Sequence, residues 1–243
     1  MKPPKARVDQ LLTDRGLAES REKAQALILA GEVLINGQKA DKPGRTIPTD
    51  ARIELTGRLP YVSRGGVKLA AALDAFHIDP TGCTAIDIGT STGGFTDCLL
   101  QRGAARVHAV DTGAGQIDWK LRTDPRVILH ENTNARYLSP DQIGEPADLI
   151  VCDVSFISAT LLMPRFPALL KPTGQFIVLI KPQFEAGREH IGKGGIVRNP
   201  AIHAACCDKV RQSAEALGFQ TQIIASPILG TEGNQEFLLH ARH

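Results

Sequence analysis

The sequence predicts an α/β protein in which a mostly parallel, doubly wound sheet follows a small α+β unit. Three observations lead to this fold class. From Leu69 onward, short apolar runs alternate with helical segments. A glycine-rich turn follows the first of these runs. The last two runs are joined by only eight residues, which is too short for a parallel crossover, so the final strand should run antiparallel.

Residues 1–56 show local signals for two short helices and several strands. Ser20 is placed to cap a helix and Gly31 to end it. An apolar run at 33–35 leads into Asn36-Gly37, the dipeptide most typical of a tight β-hairpin. We therefore predict a small folded unit here, a linker at 57–60, and a second domain at 61–243.

Seven apolar runs predict the strands of the second domain. They are Thr84–Ile88, Arg106–Asp111, Arg126–His130, Asp148–Asp153, Gln175–Ile180, Phe219–Ser226 and Gln235–Ala241. Most of these runs are continuously apolar, which is typical of parallel strands buried on both faces. Helical stretches separate several of them, for instance Phe95–Arg102, which ends at Gly103. This is the pattern of βαβ units.

The charge is unevenly distributed along the 243 residues. Residues 1–68 carry 13 Lys and Arg against 8 Asp and Glu, whereas the remainder carries 15 against 18. A basic N-terminal part suits a phosphate-rich partner such as a nucleic acid. A solvated surface with a chance asymmetry is still the simpler explanation of the charge alone.

Several classes of protein and site are disfavoured by what the sequence lacks. The five cysteines form no C-x-x-C pair, so we expect buried free thiols in a reducing cytoplasm. No Cys or His group has metal-ligand spacing, so no metal site is predicted. No signal segment and no run of about 18 apolar residues occurs, which favours a cytoplasmic protein without a membrane span.

The first predicted strand leads through a glycine-rich turn, residues 89–94, into a helix. Glycines let the backbone approach a ligand closely, and free N–H groups at the helix start attract its anionic end. Asp111 follows Gly89 by 22 residues, at the end of the second strand, where an acid accepts both ribose hydroxyls of a nucleoside. We expect Trp119 to pack in the core or against a helix rather than against an adenine base. The predicted cofactor-binding residues are Asp87, Gly89, Ser91, Gly93, Gly94, Asp111, Asn132 and Thr133.

Three ligands or activities compete at this turn. A dinucleotide would want glycine where Ser91 stands, and its fold has no antiparallel last strand. A serine hydrolase is considered because residues 89–93 match G-x-S-x-G, but no oxyanion segment of the H-G-G-G type is present. S-adenosylmethionine has a ribose and a carboxylate but no pyrophosphate, and it fits best.

Charged residues at the ends of two later strands suggest a catalytic group. Asp153 ends one predicted strand, and Lys181 follows the next and is itself followed by Pro182. The carboxyl ends of neighbouring parallel strands share the edge where open α/β sheets bind ligands. Lys68, before the first strand, and Glu236, in the last one, could join them. By pattern alone, each of these four is more often a surface charge.

Seven segments of the chain carry a family resemblance. They are Arg7-Val8-Asp9, residues 62–69 (VSRGGVKL), 91–96 (STGGFT), 133–136 (TNAR), 153–158 (DVSFIS), 181–185 (KPQFE) and 233–236 (GNQE). Through them the chain resembles the TlyA family of bacterial ribosomal-RNA 2′-O-methyltransferases, whose members are often labelled haemolysins. The resemblance extends along nearly the whole length.

The resemblance implies a fold, a cofactor and a substrate. The N-terminal unit would be an RNA-binding module of the kind found in ribosomal protein S4, followed by a Rossmann-like FtsJ-type methyltransferase domain. The family's catalytic Lys-Asp-Lys-Glu tetrad falls on Lys68, Asp153, Lys181 and Glu236. S-adenosylmethionine would be the cofactor, and a cytidine of ribosomal RNA, free or in a ribosomal subunit, the substrate. The alternatives are a pore-forming haemolysin and a non-catalytic ribosome assembly factor.

The family also bears on which ribosomal subunit is modified. Members that modify both subunits carry a C-terminal extension, whereas this sequence stops just past its last predicted strand. From this difference we expect methylation of large-subunit RNA alone.

Overall fold

A computed structural model describes residues 4–55, 60–230 and 233–243. The chain forms two compact units, and the boundary between them lies between residues 59 and 60. Apart from Pro60, the predicted linker at 57–60 lies outside the described residues, so the predicted domain boundaries stay a prediction.

The N-terminal unit packs two short helices against small antiparallel sheets. Its elements are β1 (Lys5–Arg7), α1 (Val8–Asp14), α2 (Arg21–Leu29), β2 (Val33–Ile35), β3 (Gln38–Lys39), β4 (Thr46–Pro48) and β5 (Ile53–Leu55). The strands pair in the orders β1-β4 and β3-β2-β5. Leu12, Ile28 and Val33 are buried in its core.

The local signals in this unit are confirmed. The Ser20 hydroxyl accepts a hydrogen bond from the backbone N–H of Lys23 at 3.2 Å and so caps α2. Gly31 follows the helix with φ +71°, the left-handed conformation that glycine adopts most easily. Asn36 and Gly37 also have positive φ and join β2 to β3 in a tight hairpin.

The C-terminal unit is built on a seven-stranded sheet. Its helices are α3 (Arg64–Ala75), α4 (Gly94–Gln101), α5 (Trp119–Arg122), α6 (Pro140–Ile143), α7 (Phe166–Leu169), α8 (Pro182–Glu185) and α9 (Pro200–Glu215). Its strands are β6 (Thr84–Ile88), β7 (Arg106–Val110), β8 (Val127–His130), β9 (Ala147–Cys152), β10 (Leu170–Ile180), β11 (Gln220–Ala225) and β12 (Phe237–Arg242). The strand order is β11-β12-β10-β9-β6-β7-β8.

The predicted fold class is confirmed in its main points. All seven predicted strands are present, β10, β9, β6, β7 and β8 are mutually parallel, and β12 runs antiparallel to both its neighbours. Strand β10 begins at Leu170 rather than Gln175, with a break in register between these two residues. The additional residues include Pro172, which has no N–H to donate to a ladder.

The two faces of the sheet are covered by separate apolar clusters. One cluster joins α3, α4 and α5 to sheet residues such as Val107 and Leu149. The other joins α7 and α9 to residues such as Ile150 and Phe176. Helices on both faces explain why the strands are continuously apolar.

The expectation for Trp119 is wrong, because its side chain is 74% exposed. It is the first residue of the four-residue helix α5, and the neighbouring Ile117 and Leu121 make the buried contacts instead. The thiols behave as predicted: Cys98, Cys152, Cys206 and Cys207 are buried, and all five cysteines are free. Within the described ranges, none of the helices has both the length and the apolar character that crossing a membrane requires.

A buried carboxylate organises the N-terminal unit. Asp9 in α1 is closed off from solvent and accepts hydrogen bonds from Arg7 at 2.8 and 2.9 Å, from Arg21 at 3.1 Å and from Gln25 at 3.0 Å. The hydrogen bond from Arg7 is the main cause that lowers the pKa of Asp9 well below its usual range. The carboxylate therefore ties the first strand and both helices together.

We expect Asp9→Asn to lower the free energy of unfolding by roughly 1–3 kcal/mol at pH 7, because charged hydrogen bonds are lost. A depressed folded-state pKa stabilises the fold above the unfolded value of about 4, and this contribution is lost as the pH falls below it. Urea unfolding of both proteins should therefore show a difference that shrinks from pH 7 to pH 3. Asp14→Asn, at an exposed position in the same helix, is the control. Equal effects of the two variants would contradict the role given to Asp9.

Candidate functional site

The side chains predicted to carry chemistry lie along one edge of the seven-stranded sheet. Because β12 runs antiparallel, its first residues meet the carboxyl ends of the parallel strands. Across this edge the order is Glu236 before β12, Lys181 after β10, Asp153 after β9, Gly89 after β6 and Asp111 after β7. We call this the carboxyl edge.

The glycine turn brings the ends of β6 and β9 unusually close. Gly89 has φ +84°, and a Cβ atom there would lie 2.3 Å from the backbone oxygen of Asp153. Only glycine is compatible with this approach. Ser91 also has positive φ, and its backbone N–H donates to the Asp111 carboxylate at 2.8 Å. The turn therefore connects the ends of three neighbouring strands.

The next two glycines are explained by helix packing. A Cβ atom at Gly93 would lie 2.3 Å from the Leu121 side chain, and one at Gly94 would lie 2.1 Å from the Ser63 hydroxyl. This packing accounts for both glycines without a ligand. Their contact with a cofactor stays a prediction.

Asp87 is a fully buried carboxylate inside β6. Its Oδ2 atom accepts hydrogen bonds from the backbone N–H of Thr96 at 3.0 Å and from the Thr96 hydroxyl at 2.6 Å. Its Oδ1 atom is buried and has no hydrogen-bond partner within the described ranges. Burial raises the pKa of Asp87 to about 7, and the negative charges of Asp153 and Asp111 add to the effect. A buried oxygen without a protein partner calls for an explanation, and a functional role is one of those that account for it.

The Asp111 carboxylate is held by two backbone N–H groups. Oδ1 accepts from Gly113 at 2.7 Å and Oδ2 from Ser91 at 2.8 Å. A carboxylate has about four acceptor positions, so capacity is left for the two hydroxyls of a ribose. The backbone N–H of Thr133 donates to the Asp111 backbone oxygen, and that of Asn132 donates to Gly113. Asn132 and Thr133, both predicted to bind the cofactor, are thus tied to the Asp111 loop.

A cavity of about 510 Å³ lies in front of these residues. Its lining includes Gly89, Ser91, Asp111, Gln116, Thr133, Arg136, Asp153 and Phe156. No histidine is among the described residues that line it, so the Ser–His pair of a serine hydrolase is not found in this lining. We call it the cofactor cavity.

The second predicted group contains two ion pairs. Lys181 Nζ lies 2.5 Å from Asp153 Oδ1 and donates a hydrogen bond to the Ser155 hydroxyl at 2.9 Å. Asp153 Oδ1 has no hydrogen-bond partner among the described residues. Its contact with Lys181 is therefore an ion pair whose angles do not fit a hydrogen bond. The side chains of Lys181 and Asp153 are 12% and 21% exposed. A ligand can therefore reach both.

The other pair is more deeply buried. Lys68 Nζ in α3 donates to Glu236 Oε2 at 2.5 Å, and the two side chains are 9% and 3% exposed. Gly230 allows this position of the carboxylate, because a Cβ atom there would lie 2.4 Å from Glu236 Oε1. In the register of β10 and β12, Ile180 pairs with Phe237, so Lys181 and Glu236 follow as neighbours at the edge. The structure therefore brings all four predicted catalytic residues to the carboxyl edge.

A second cavity, of about 460 Å³, adjoins the cofactor cavity. It is lined by Ser155, Phe156, Lys181, Gln183, Phe184, Ile191, Gly195 and Glu236. Ser155 and Phe156 line both cavities. The Phe156 ring is 92% exposed and lies 5.2 Å from that of Phe184. We call this the acceptor cavity.

Sequence reasoning missed several residues of this site. Phe156 follows Asp153 by three residues in a segment with no regular pattern, and its positive φ of 66° leaves no signal in the residue type. Asn234 is fully buried, accepts from the backbone N–H of Val197 at 2.9 Å, and donates to the Gly195 oxygen at 2.9 Å. Its position beside Glu236 in the segment 233–236 was the available signal.

Family models match almost the entire chain. The FtsJ-like methyltransferase model matches residues 61–243, and the S4 domain model matches residues 6–53. No cluster of three or more His, Cys, Asp or Glu side chains suited to a metal ion occurs in the ranges described.

Three similar proteins illustrate the relationship. A Bacillus subtilis protein, YqxC, is 48% identical over 99% of this chain and 86% of its own. The Mycobacterium tuberculosis protein TlyA, named a 16S/23S rRNA (cytidine-2′-O)-methyltransferase, is 44% identical over 98% of this chain and 90% of its own. A solved structure from Streptococcus thermophilus, which carries a hemolysin label, is 46% identical with a TM-score of 0.77, over 98% of this chain and 88% of that one.

The raised pKa of Asp87 gives a prediction about stability. Its protonated form stabilises the fold fully below the unfolded pKa of about 4, and this contribution is lost as the pH rises through about 7. Without added ligands, the native chain should lose about 2–4 kcal/mol of unfolding free energy between pH 4.5 and 7.5, relative to Asp87→Asn. Asp141→Asn, at an exposed position, should keep the native pH dependence. The unfolding free energies are measured by denaturant titration at each pH. If they depended on pH in the same way for Asp87→Asn and the native chain, the raised pKa of Asp87 would be contradicted.

Proposed function

The chain belongs to the FtsJ-like methyltransferase family, and we propose that it methylates the 2′-hydroxyl of a cytidine in ribosomal RNA, with S-adenosylmethionine as methyl donor. One observation carries this proposal. The Lys181–Asp153 ion pair lies where a nucleoside-sized cavity meets a second cavity at the carboxyl edge. The name of the M. tuberculosis relative supports the cytidine and the ribosomal RNA. A ribosomal substrate would place the reaction in the cytoplasm.

The cofactor cavity suits adenosylmethionine in its chemistry. Asp111 has acceptor capacity for two ribose hydroxyls, and Thr133 lies beside it towards the base. The backbone at Gly89 and Ser91 borders the end where the methionine part would lie. The carboxylates of Asp87, Asp111 and Asp153 favour a positively charged ligand. When bound, the cofactor supplies a methyl group on a positively charged sulfur, which is already a strong electrophile.

The protein must then hold the hydroxyl in line and manage its proton. Lys181 lies in the acceptor cavity with its amine fixed by Asp153 and Ser155. As an ammonium it would stabilise the negative charge that develops on the hydroxyl oxygen. As a neutral amine it would accept the proton. Glu236, paired with Lys68, borders the same cavity and limits where the ribose can lie.

Contacts to the RNA backbone are proposed for both units. The N-terminal unit matches the S4 domain model, and half-exposed Arg7 and Arg21 flank Asp9 on it. In the catalytic unit, exposed Arg188, Lys193 and Arg198 belong to a loop that borders the acceptor cavity through Ile191 and Gly195. Phosphate contacts of this kind give an affinity that falls steeply with salt.

A methylation assay tests the proposal. Purified protein with labelled adenosylmethionine and separated ribosomal subunits or free ribosomal RNA should transfer label to a 2′-oxygen of a cytidine, located by mapping both RNAs. Lys181→Ala should lower turnover by roughly 10²-fold or more. If the native chain transferred no label, a non-catalytic role in ribosome assembly would take the place of this proposal. Near-normal turnover by Lys181→Ala would refute the catalytic role of the group around Lys181.

Lys181→Arg separates the two roles of the amine. Arginine keeps the positive charge but does not lose its proton in proteins. A base role predicts a variant as inactive as Lys181→Ala, whereas a cationic role predicts that part of the activity remains. The pH profile of turnover provides a second check, because only a base role requires loss of the Lys181 proton as the pH rises.

Asp111→Asn should weaken adenosylmethionine binding by about tenfold or more, because a charged acceptor of the ribose is lost. Calorimetric titration measures this directly. Asp124→Asn is the matched control, since Asp124 also accepts from a backbone N–H two residues on, at Arg126, but precedes β8 at the opposite end of the strand. Unchanged affinity in Asp111→Asn would mean that the ribose binds elsewhere.

A further inference from the structure

Glu185 is a buried carboxylate that the proposed chemistry does not use. It ends the short helix α8, and its side chain is 2% exposed. Oε2 accepts from the Ser158 hydroxyl at 2.5 Å and lies 3.0 Å from Lys209 Nζ in α9. Oε1 accepts from the backbone N–H of Ala159 at 2.8 Å. A buried charge with this many partners fixes the segments that supply them.

Ser158 ends the segment 153–158, which we call the acceptor loop, and Ala159 directly follows it. The loop begins where the backbone N–H of Asp153 donates to the Ile88 oxygen at 2.9 Å, and it ends at the contacts with Glu185. Between these two points lie Ser155 and Phe156, which line both cavities. Glu185 therefore holds one of the two ends of the loop.

The acceptor loop and the segment 181–185 are thus joined at two places. The Lys181–Asp153 ion pair joins their first residues, and Glu185 joins their last ones through Ser158 and Ala159. Lys209 holds Glu185 from α9 and also donates to the Glu185 backbone oxygen at 3.0 Å. A single contact would let the two segments rotate about it, whereas two separate contacts fix their relative orientation.

Phe156 shows that the acceptor loop needs this support. Its φ of +66° is unfavourable for a residue with a side chain, and such conformations persist only where the surroundings impose them. The ring is 92% exposed, so core packing does not impose it. The constraints on it within the described residues are the fixed ends of the loop and the contact of its ring with Phe184.

We propose that Glu185 is a positioning residue for methyl transfer, which sets the acceptor loop against the segment that carries Lys181. This inference rests on the proposed function. Glu185 is not among the residues that line either cavity, and it acts through Ser158 and Ala159. Its loss should affect turnover more than binding, because small misplacements of reacting groups are costly to the rate.

The test compares Glu185→Gln with Asp148→Asn. Glutamine keeps the size of the side chain and an acceptor for Ala159, but it has no charge to pair with Lys209. Asp148 is the matched control, because it too accepts from a backbone N–H, that of Thr84 at 2.9 Å, and from a lysine, Lys171 at 2.8 Å, but at the opposite edge of the sheet. Steady-state methylation, adenosylmethionine titration and hydrogen exchange of peptides covering 153–160 are measured below the melting temperature of each variant.

In Glu185→Gln, kcat should fall about tenfold or more, while KM for RNA and the cofactor Kd stay within about twofold. Exchange in 153–160 should become faster. Asp148→Asn should keep the native kcat and the native exchange in this segment. A kcat for Glu185→Gln within twofold of native, or an equal loss in Asp148→Asn, would overturn the inference while the proposed function stood.

Two further outcomes are informative. If the native chain transfers no methyl group, the proposed function fails, and this inference fails with it. If Glu185→Gln does not fold, Ser158→Ala decides, since it removes the hydroxyl that donates to Glu185 Oε2 and leaves the carboxylate paired with Lys209. Ser158→Ala should lower kcat several-fold, and a native kcat would overturn the proposal.

Discussion

The close approach of Gly89 to the Asp153 backbone is the contact on which the geometry of the site depends. No side chain could stand at Gly89, because its Cβ atom would lie 2.3 Å from the Asp153 oxygen. The turn after β6 and the end of β9 are therefore neighbours, with Asp153 in the lining of the cofactor cavity and at the same time paired with Lys181. A methyl donor on one side and an acceptor on the other would meet at this contact.

The cofactor cavity and the acceptor cavity differ in the charges beside them. On the cofactor side, Asp87, Asp111 and Asp153 lie close enough for the charges of the other two to raise the pKa of Asp87. On the acceptor side, both lysines are paired with carboxylates. A cation in the cofactor cavity would relieve the repulsion among the three acids and favour the ionised form of Asp87. Binding of a sulfonium and loss of a proton from Asp87 would thus be linked.

Much of this arrangement could be predicted from the sequence, for a physical reason. Buried parallel strands must be apolar throughout, so the ends of these runs are visible, and polar residues at those ends necessarily share one edge. This rule located Asp153, Lys181 and Asp111. The eight-residue connection before the last strand predicted only that this strand is antiparallel, and the observed direction of β12 explains why Glu236 lies at the same edge.

Contacts between segments that are distant in the sequence could not be predicted in this way, because no local pattern indicates them. Lys68 pairs with Glu236 across 168 positions, and only the family resemblance indicated that they belong together. Trp119 looked like a core residue because aromatic residues usually are, yet a four-residue surface helix buries its neighbours instead. Gly93 and Gly94 looked like ligand-binding glycines, and their packing against Leu121 and Ser63 shows that helix contacts alone demand glycine there.

The buried polar residues Glu185 and Asn234 follow a common logic that only the structure reveals. Each lies within four residues of a predicted catalytic side chain, and each bonds the backbone of a different segment beside the acceptor cavity, at Ala159 and at Gly195 and Val197. Loops at a ligand site must expose polar backbone and cannot be fixed by apolar packing alone. A buried carboxylate or amide fixes them at a few backbone atoms and leaves the cavity open. The segments that border the acceptor cavity are therefore fixed close to the points where Lys181 and Glu236 leave their strands.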